Sequence, residues 1–273
     1  VAGGERYTEK VCCSVPRLKI IARTGAGVDL VNTQAAAENG IWVTNTPGAT
    51  ADAVADLTLG LMLCLLRHIP KMVSDLKKGN WNQIEGREMN AMTIGVVGLG
   101  SIGKAVAIRS LAFGAKVIAH DINPDDDFSR HCKVPYLPLD DLLGQADIVC
   151  LCVSLNDTTR GLMNRQRLDL LKKSAYLINV SRPAVVDKDY LVEKLRRNGI
   201  AGAAIDVHDP RPCPPDDPFL HLDNVIATPW VAYKTAESTV KMCNPAVRDV
   251  VSVLKGEKPR YPVNKPIGLA HTA

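Results

Sequence analysis

The stretch MTIGVVGLGSIGKAVAIRSLAFGAKVIAHD, residues Met92–Asp121, decides the fold of this chain. Thr93-Ile94-Gly95-Val96-Val97 is an apolar run with the look of a buried strand. It leads straight into Gly98-Leu99-Gly100-Ser101-Ile102-Gly103. Lys104 to Phe113 reads as a helix with Ala105, Ile108 and Leu111 on one face, stopped by Gly114. A second strand, Lys116–Ala119, runs out at His120-Asp121, so an acid lies 18 residues past Gly103. A GxGxxG alone is a weak signal. Between a strand and a helix, with an acid at that distance, it is the full fingerprint of a dinucleotide-binding unit.

Each residue of the fingerprint has a physical task. Gly98 permits the tight turn, Gly100 lets backbone approach a pyrophosphate, and Gly103 lets helix and strand pack closely. The helix N-terminus offers free N–H groups and a partial positive charge to phosphates. Asp121 is placed to accept from the ribose hydroxyls, which favours NAD over its 2′-phosphorylated form. The alternative is a glycine-rich turn without a ligand.

The rest of the chain repeats the strand–helix alternation. Further strands are read at Ala146–Val153, Ala175–Val180, Ala201–Asp206 and Asn224–Trp230, and helices at Leu139–Leu143, Arg165–Leu171 and Asp187–Asn198, the last with Gly199 as its cap. Alternation of this kind gives an α/β fold, a Rossmann-type, doubly wound parallel sheet. Functional groups in such a sheet collect at strand C-terminal ends. Three ends stand out: Asp121, Arg182 and Asp206. Arg182 has the fork to hold a carboxylate through two parallel hydrogen bonds, and Asp206 can accept from a nicotinamide carboxamide.

Before this core, a short strand feeds Arg23-Thr24-Gly25-Ala26-Gly27-Val28-Asp29, which is either a carboxylate-binding loop or a plain turn. Thr33–Asn39 reads as a helix and Ile41–Thr46 as a strand. Asp52 to Arg67 is a helix apolar on more than one face, expected to be buried against more than one neighbour. Lys71–Trp81 reads as a connecting arm. Asn123–Asp127 is read as a solvated acidic loop. Glu237–Leu254 reads as a helix interrupted at Asn244-Pro245, and the tail after Asn264 as disordered.

Composition narrows the classes. The 273 residues are 46% hydrophobic and 23% charged, with a net charge of +4 and no basic block, so neither nucleic acid nor a membrane is expected as a partner. No apolar run reaches the ~18–20 residues of a membrane span. The eight cysteines show no metal-ligand spacing, so no metal is expected; they read as reduced thiols of a cytoplasmic protein. The chain opens at Val1 without a signal-peptide pattern, and residues are expected to precede it.

The motifs RTGAGVD (Arg23–Asp29), VTNTPG (Val43–Gly48), VGLGSIGKAVA (Val97–Ala107), INVSR (Ile178–Arg182), VVDKDYLVEKL (Val185–Leu195), AGAAIDV (Ala201–Val207) and NVIATP (Asn224–Pro229) resemble those of the D-isomer-specific 2-hydroxyacid dehydrogenases, most of all the phosphoglycerate dehydrogenase-like branch. The resemblance implies hydride transfer between NAD(H) and a small 2-hydroxy or 2-keto acid. It implies residues 56–235 as the NAD-binding domain, inserted into a truncated flavodoxin-like substrate domain formed by 1–55 and 236–273. It also implies a homodimer built on Asp52–Trp81. Residue by residue, Arg182 takes the place of the substrate-orienting arginine, and Gly25, Ala26 and Gly27 that of the carboxylate loop. Thr46, Gly98, Gly100, Ser101, Ile102, Gly103, Asp121, Val153, Val180 and Asp206 fall on cofactor positions. Two positions depart from the family. Its histidine after Thr-Pro is Trp230 here, and the glutamate that orients that histidine is Arg211. Indole has no usable proton equilibrium. His208, His221, Asp209 and Tyr233 are the nearby polar groups that could stand in. The alternative function is a catalytically impaired NAD-binding relative acting as a binding or regulatory protein.

Overall fold

The computed structural model describes residues 1–267. They form two compact units, one made of Val1–Ala51 with the stretch from Tyr233 onward, the other of Asp52–Ala232.

The first unit starts with the short helix α1 (Glu9–Ser14), for which the sequence carries no strong signal, and continues through β1 (Ile20–Ala22), α2 (Thr33–Glu38) and β2 (Trp42–Thr44). β1 and β2 pair in parallel, with Ile21 opposite Val43. Asn32 caps α2 by accepting from the Ala35 N–H at 2.9 Å. One face of the small sheet carries Ile21 and Val43, packed with Cys12, Ala35, Ala36 and Ile41. Ile20 and Ala22 meet Ala246 and Val253 of the long helix near the chain's end.

In the second unit, α3 (Ala51–Leu66) runs into α4 (Ile69–Lys77). α3 buries Val54, Ala55, Thr58, Leu59, Leu61, Met62, Leu65 and Leu66, which lie on more than one face, as its all-round apolar sequence requires. The polar stretch expected as an arm is helical over its first part, as α4. No single described helix is long and apolar enough to cross a membrane; α3 and α4 reach that length only as a pair bent by 63°.

The core is a six-stranded parallel sheet of β3 (Thr93–Val97), β4 (Lys116–His120), β5 (Ile148–Leu151), β6 (Tyr176–Asn179), β7 (Gly202–Ile205) and β8 (Val225–Ala227), in the order β4-β3-β5-β6-β7-β8. The chain leaves β3 toward one edge and returns to add β5 on the other side of it. This is the switch point at which doubly wound sheets open a crevice. Two apolar layers cover the faces. One includes Ile94, Val96, Val106, Ala107, Cys150 and Ile178, and the other Val97, Leu142, Val149, Leu151, Leu177 and Leu191. The helices on the two faces are α5 (Ser101–Ala112), α6 (Asp126–Cys132), α7 (Leu139–Gln145), α8 (Arg165–Asp169) and α9 (Lys188–Arg196); α10 (Ala236–Leu254) belongs to the first unit.

Three local expectations are corrected. The acidic run at 123–127 is solvated and a loop through Asp125, but its last two residues belong to α6: Asp125 accepts from the Phe128 N–H at 3.0 Å, and Asp126 and Asp127 occupy the first turn, where the helix dipole favours negative charge. α9 ends through Asn198, at φ 53°, and not through Gly199. α10 passes through Pro245 without a break. The tail expected to be disordered lies in part, from residue 268 on, outside the described residues. All eight cysteines are free thiols.

Asp147, just ahead of β5, ties three strands' surroundings together. Its Oδ2 accepts from the Thr93 N–H at 2.9 Å and its Oδ1 from Lys172 Nζ at 3.0 Å. Burial alone would raise this carboxyl's pKa; the Thr93 N–H and the Lys172 ammonium outweigh it and hold the group below the usual carboxylate value. A depressed pKa contributes stability above the unfolded value of about 3.9 that disappears as pH falls through the folded one. Asp147→Asn is expected to lower stability by roughly 1–3 kcal/mol at pH 7. Urea melts at pH 7 and below pH 3 check this: the gap between wild type and variant should shrink in acid, and an equal gap at both would refute the assignment.

Candidate active site

The glycine loop between β3 and α5 is shaped by backbone contact. Gly98 has φ 93°, a conformation that L side chains rarely adopt. A Cβ at Gly103 would sit 2.0 Å from the Gly98 carbonyl oxygen, so the first turn of α5 packs directly on the turn that precedes it. Gly100 differs. It has φ −73°, and a Cβ there would meet no protein atom within 4 Å. The space over Gly100 is open, and α5 begins at Ser101 without a side-chain cap. An uncapped helix N-terminus facing open space is what a pyrophosphate needs, and the loop fits it.

Asp121, just past β4, accepts from the Leu99 N–H at 2.7 Å and from the Asn123 N–H at 2.9 Å. It therefore fixes the glycine loop, a role that fingerprint spacing does not reveal. A carboxylate has about four acceptor sites, so two remain for a ribose. Val153 follows β5 and borders Gly98, whose added Cβ would lie 2.9 Å from Val153 Cγ1. Ser101 is exposed, Ile102 half-buried and Val180 buried at the end of β6.

Arg182 comes three residues after the last residue of β6, on the same edge of the sheet as the glycine loop. Its position is set by Asn179, which sequence reasoning missed. Asn179 Oδ1 accepts from the Ser181 N–H and Oγ, each at 3.0 Å, while its Nδ2 donates to the Arg182 carbonyl at 3.0 Å. The available signal was a polar residue ending an otherwise apolar strand, directly before Ser-Arg. Arg182 Nη1 also donates to the Ser181 carbonyl at 2.8 Å.

Asp206 is 1% exposed. Its Oδ1 accepts from Thr228 Oγ1 at 2.7 Å and the Val231 N–H at 2.9 Å, and its Oδ2 from the Ala232 N–H at 3.0 Å. Its carbonyl accepts from the Trp230 N–H at 2.8 Å. Three of the carboxylate's sites are thus used inside the protein, and its main task is to fold the 228–232 turn. That turn carries Trp230 at φ 56°, which costs about 1–3 kcal/mol for a bulky residue. Hydrogen bonds to a charged group contribute about 1.5–3 kcal/mol each, so Asp206 more than offsets the strain. The indole lies against two guanidinium groups, with Arg182 Cζ 5.8 Å and Arg211 Cζ 5.0 Å from the centroid of its ring. The two residues that depart from the family pattern therefore touch each other.

His208 is buried with Nε2 3.0 Å from the Thr228 carbonyl, and His221 is exposed with Nε2 3.1 Å from the Pro215 carbonyl. Asp209 and Tyr233 are exposed.

The family profile described as "D-isomer specific 2-hydroxyacid dehydrogenase, NAD binding domain" matches residues 59–232. The chain belongs to the D-isomer-specific 2-hydroxyacid dehydrogenase family. It is 38% identical to a glyoxylate reductase of Thermofilum pendens, over 96% of this chain and 80% of that protein. It is 37% identical to a D-3-phosphoglycerate dehydrogenase of Methanocaldococcus jannaschii, over 97% of this chain and 51% of that protein. A D-lactate dehydrogenase of Aquifex aeolicus, solved with NAD and lactic acid, superposes with a TM-score of 0.88 at 32% identity, covering 96% of this chain and 84% of that one. The chain is an NAD-dependent oxidoreductase of the 2-hydroxyacid dehydrogenase type, and its cofactor is NAD.

The first unit holds the remaining named residues. Thr46 is buried; its Oγ1 accepts from the Gly25 N–H at 2.7 Å and its N–H donates to the Gly25 carbonyl at 3.0 Å. Gly25's amide is therefore engaged. The amides of Ala26 and Gly27 donate to no protein group among the described residues, and Asn45 Nδ2 steadies the loop through the Ala26 carbonyl at 2.8 Å.

Two alanine substitutions separate the shape of the cofactor loop from its function. Gly100→Ala is expected to melt like wild type and to bind NAD at least tenfold more weakly, because its methyl enters only the open space. Gly103→Ala is expected to lose stability as well, since backbone must move. Thermal melts with NAD titrations check both, and undiminished NAD affinity in Gly100→Ala would refute the placement of the pyrophosphate.

Proposed function

We propose that this chain interconverts a small 2-keto acid and its 2-hydroxy acid, with Arg182 holding the acid's carboxylate. The observation that carries the reading is the place of Arg182, fixed by Asn179 on the sheet edge that also bears the glycine loop. Bound NAD(H) supplies the hydride acceptor or donor. The other tasks fall to this chain. The guanidinium of Arg182 offers parallel N–H groups to a carboxylate, a charge-assisted contact that contributes about 1.5–3 kcal/mol. Its contact with the indole contributes about 0.5–1 kcal/mol when exposed.

The amides of Ala26 and Gly27 are the loop's carboxylate donors in this reading, with Gly25 a positioning residue. Residues 1–55 and 236–273 are the substrate-binding domain, and 56–235 the NAD-binding domain. Gly98, Gly100, Ser101, Ile102, Gly103, Asp121, Val153 and Val180 are the cofactor residues of the second unit in this reading, Thr46 is that of the first, and Asp206 acts mainly by holding the turn of Trp230. Relatives named for glyoxylate, hydroxypyruvate and lactate support a substrate of two or three carbons. The indole of Trp230 has no usable proton equilibrium, so the proton on the substrate oxygen comes from water or from another group of this chain.

The pair Trp230–Arg211 also favours a second reading: an NAD-binding family member with little turnover that serves as a binding or regulatory protein. One experiment separates the two. 2-Keto acid reduction is measured for wild type, each single variant and the double variant Trp230→His, Arg211→Glu. A general acid with its orienting carboxylate contributes ~10²–10⁴-fold, so the double variant should gain on that scale if the missing pair limits the rate. Trp230→His alone should gain less, for want of orientation, and Arg211→Glu alone almost nothing. Histidine tolerates positive φ better than most residues, so the turn should survive. A double variant that melts normally, binds NAD and gains nothing would refute the missing-pair account. Wild-type turnover on any 2-keto acid sinks the second reading.

Assembly and location complete the proposal. The chain forms a homodimer through Asp52–Trp81, supported by Ile69, Val73, Leu76 and Trp81, which are apolar and exposed on α4 and just beyond it. Sedimentation at micromolar concentration is expected to show a dimer, and a folded monomer would refute it. The free thiols support the reducing cytoplasm.

A further inference from the structure

Three side chains of different chemistry meet in the second unit. His208 lies just past β7, Cys213 lies in the proline-rich loop, and Asp217 precedes the short turn Pro218–His221. An imidazole nitrogen, the thiol sulfur and a carboxylate oxygen lie within 4.8 Å of one another. His208 and Asp217 are 7% and 2% exposed, and Cys213 is half-buried.

Their other partners leave lone pairs available. His208 Nε2 is 3.0 Å from the Thr228 carbonyl, which draws the ring hydrogen to Nε2 and leaves the lone pair on Nδ1. A backbone carbonyl behind the imidazole is the usual support of a metal-binding histidine. Asp217 Oδ1 accepts from the Phe219 N–H at 3.0 Å and Oδ2 from Lys188 Nζ at 2.6 Å, and each oxygen retains a further lone pair.

We propose that His208, Cys213 and Asp217 bind a single divalent transition-metal ion, zinc by preference. Nitrogen, sulfur and oxygen ligands in one cluster suit a borderline-soft ion that accepts four-coordinate geometry. Around zinc, such ligand atoms stand roughly 3.3–3.6 Å apart, so the cluster must tighten by up to about 1.5 Å. Cys213, on a loop, is the group that moves. Its proton passes to solvent as the thiolate coordinates. Three protein ligands leave a fourth position for water. The spacing is irregular, His-x₄-Cys-x₃-Asp, and resembles no ligand motif, which is why the sequence alone points to no metal. Lys188 opposes the ion, because its ammonium already sits on Asp217. The ion would tie together the two ends of the 208–217 segment, whose Arg211 lies over Trp230.

The test uses the full chain, stripped with a chelator and titrated with Co²⁺ as the probe. One equivalent is expected to produce a near-ultraviolet thiolate-to-cobalt band and visible bands of tetrahedral intensity, both displaced by Zn²⁺. Cys213→Ser, a mild change at a half-buried position, should lose the near-ultraviolet band while melting as wild type does. His208→Gln should weaken binding, and Lys188→Met should tighten it several-fold by removing the competing charge. A thiolate band that persists in Cys213→Ser belongs to another of the cysteines and overturns the proposal, as does no band in the wild type. Should His208→Gln or Lys188→Met fail to fold, Cys213→Ser alone decides.

Discussion

The approach of Gly103 to the Gly98 carbonyl is the constraint from which the second unit is built. Even one methyl at 103 would lie 2.0 Å from that oxygen, so strand, turn and helix can meet in this way only as bare backbone. The closeness aims the N-terminus of α5 at the switch point between β3 and β5. It also makes the loop short enough for Asp121, at the end of the neighbouring strand, to bind the Leu99 amide. The cofactor loop is thus rigid before any ligand arrives, and preorganisation of this sort lowers the ordering cost of binding.

The other half of the sheet edge depends on two buried polar side chains. Asn179 fixes the chain around Arg182, and Asp206 fixes the turn around Trp230. Both work by satisfying backbone amides that would otherwise be buried without partners, each costing about 1–3 kcal/mol. Neither can be replaced by an apolar residue of similar volume without orphaning several groups together. The same logic explains Thr46, whose hydroxyl engages the Gly25 amide and thereby sets the orientation in which Ala26 and Gly27 present theirs.

The sheet is legible in the sequence because its strands are buried on both faces and therefore read as continuous apolar runs bounded by glycine and acids. Helix ends are less so. Asp125 reads as part of a solvated acidic run when charge density is weighed and capping is not; its carboxylate, accepting from an amide three residues on, starts α6 at Asp126. Asn198 ends α9 because asparagine tolerates the left-handed region, which makes the neighbouring glycine unnecessary. Pro245 does not break α10, since tertiary contacts such as those of Ala246 with the small sheet outweigh a local penalty of about 3 kcal/mol. Among site residues, those proposed to contact a ligand are visible as motif positions. Those that hold them, Asn179 above all, are not, because their partners are backbone groups that no spacing rule encodes.

At the two positions where the family resemblance implies a histidine and a glutamate, Trp230 and Arg211 are in contact in this chain. An imidazole beside a carboxylate is an ion pair in waiting; an indole beside a guanidinium is a quadrupole under a permanent cation. Either pair can hold the loop that carries residue 211 against the turn that carries residue 230, so structure alone imposes no demand for the original chemistry. The turn itself is held from Asp206, which is intact, and the cofactor loop from Gly103 and Asp121, on the far side of β5 and β6. The hydrogen bonds that shape the glycine loop and the 228–232 turn involve neither the indole of Trp230 nor the guanidinium of Arg211.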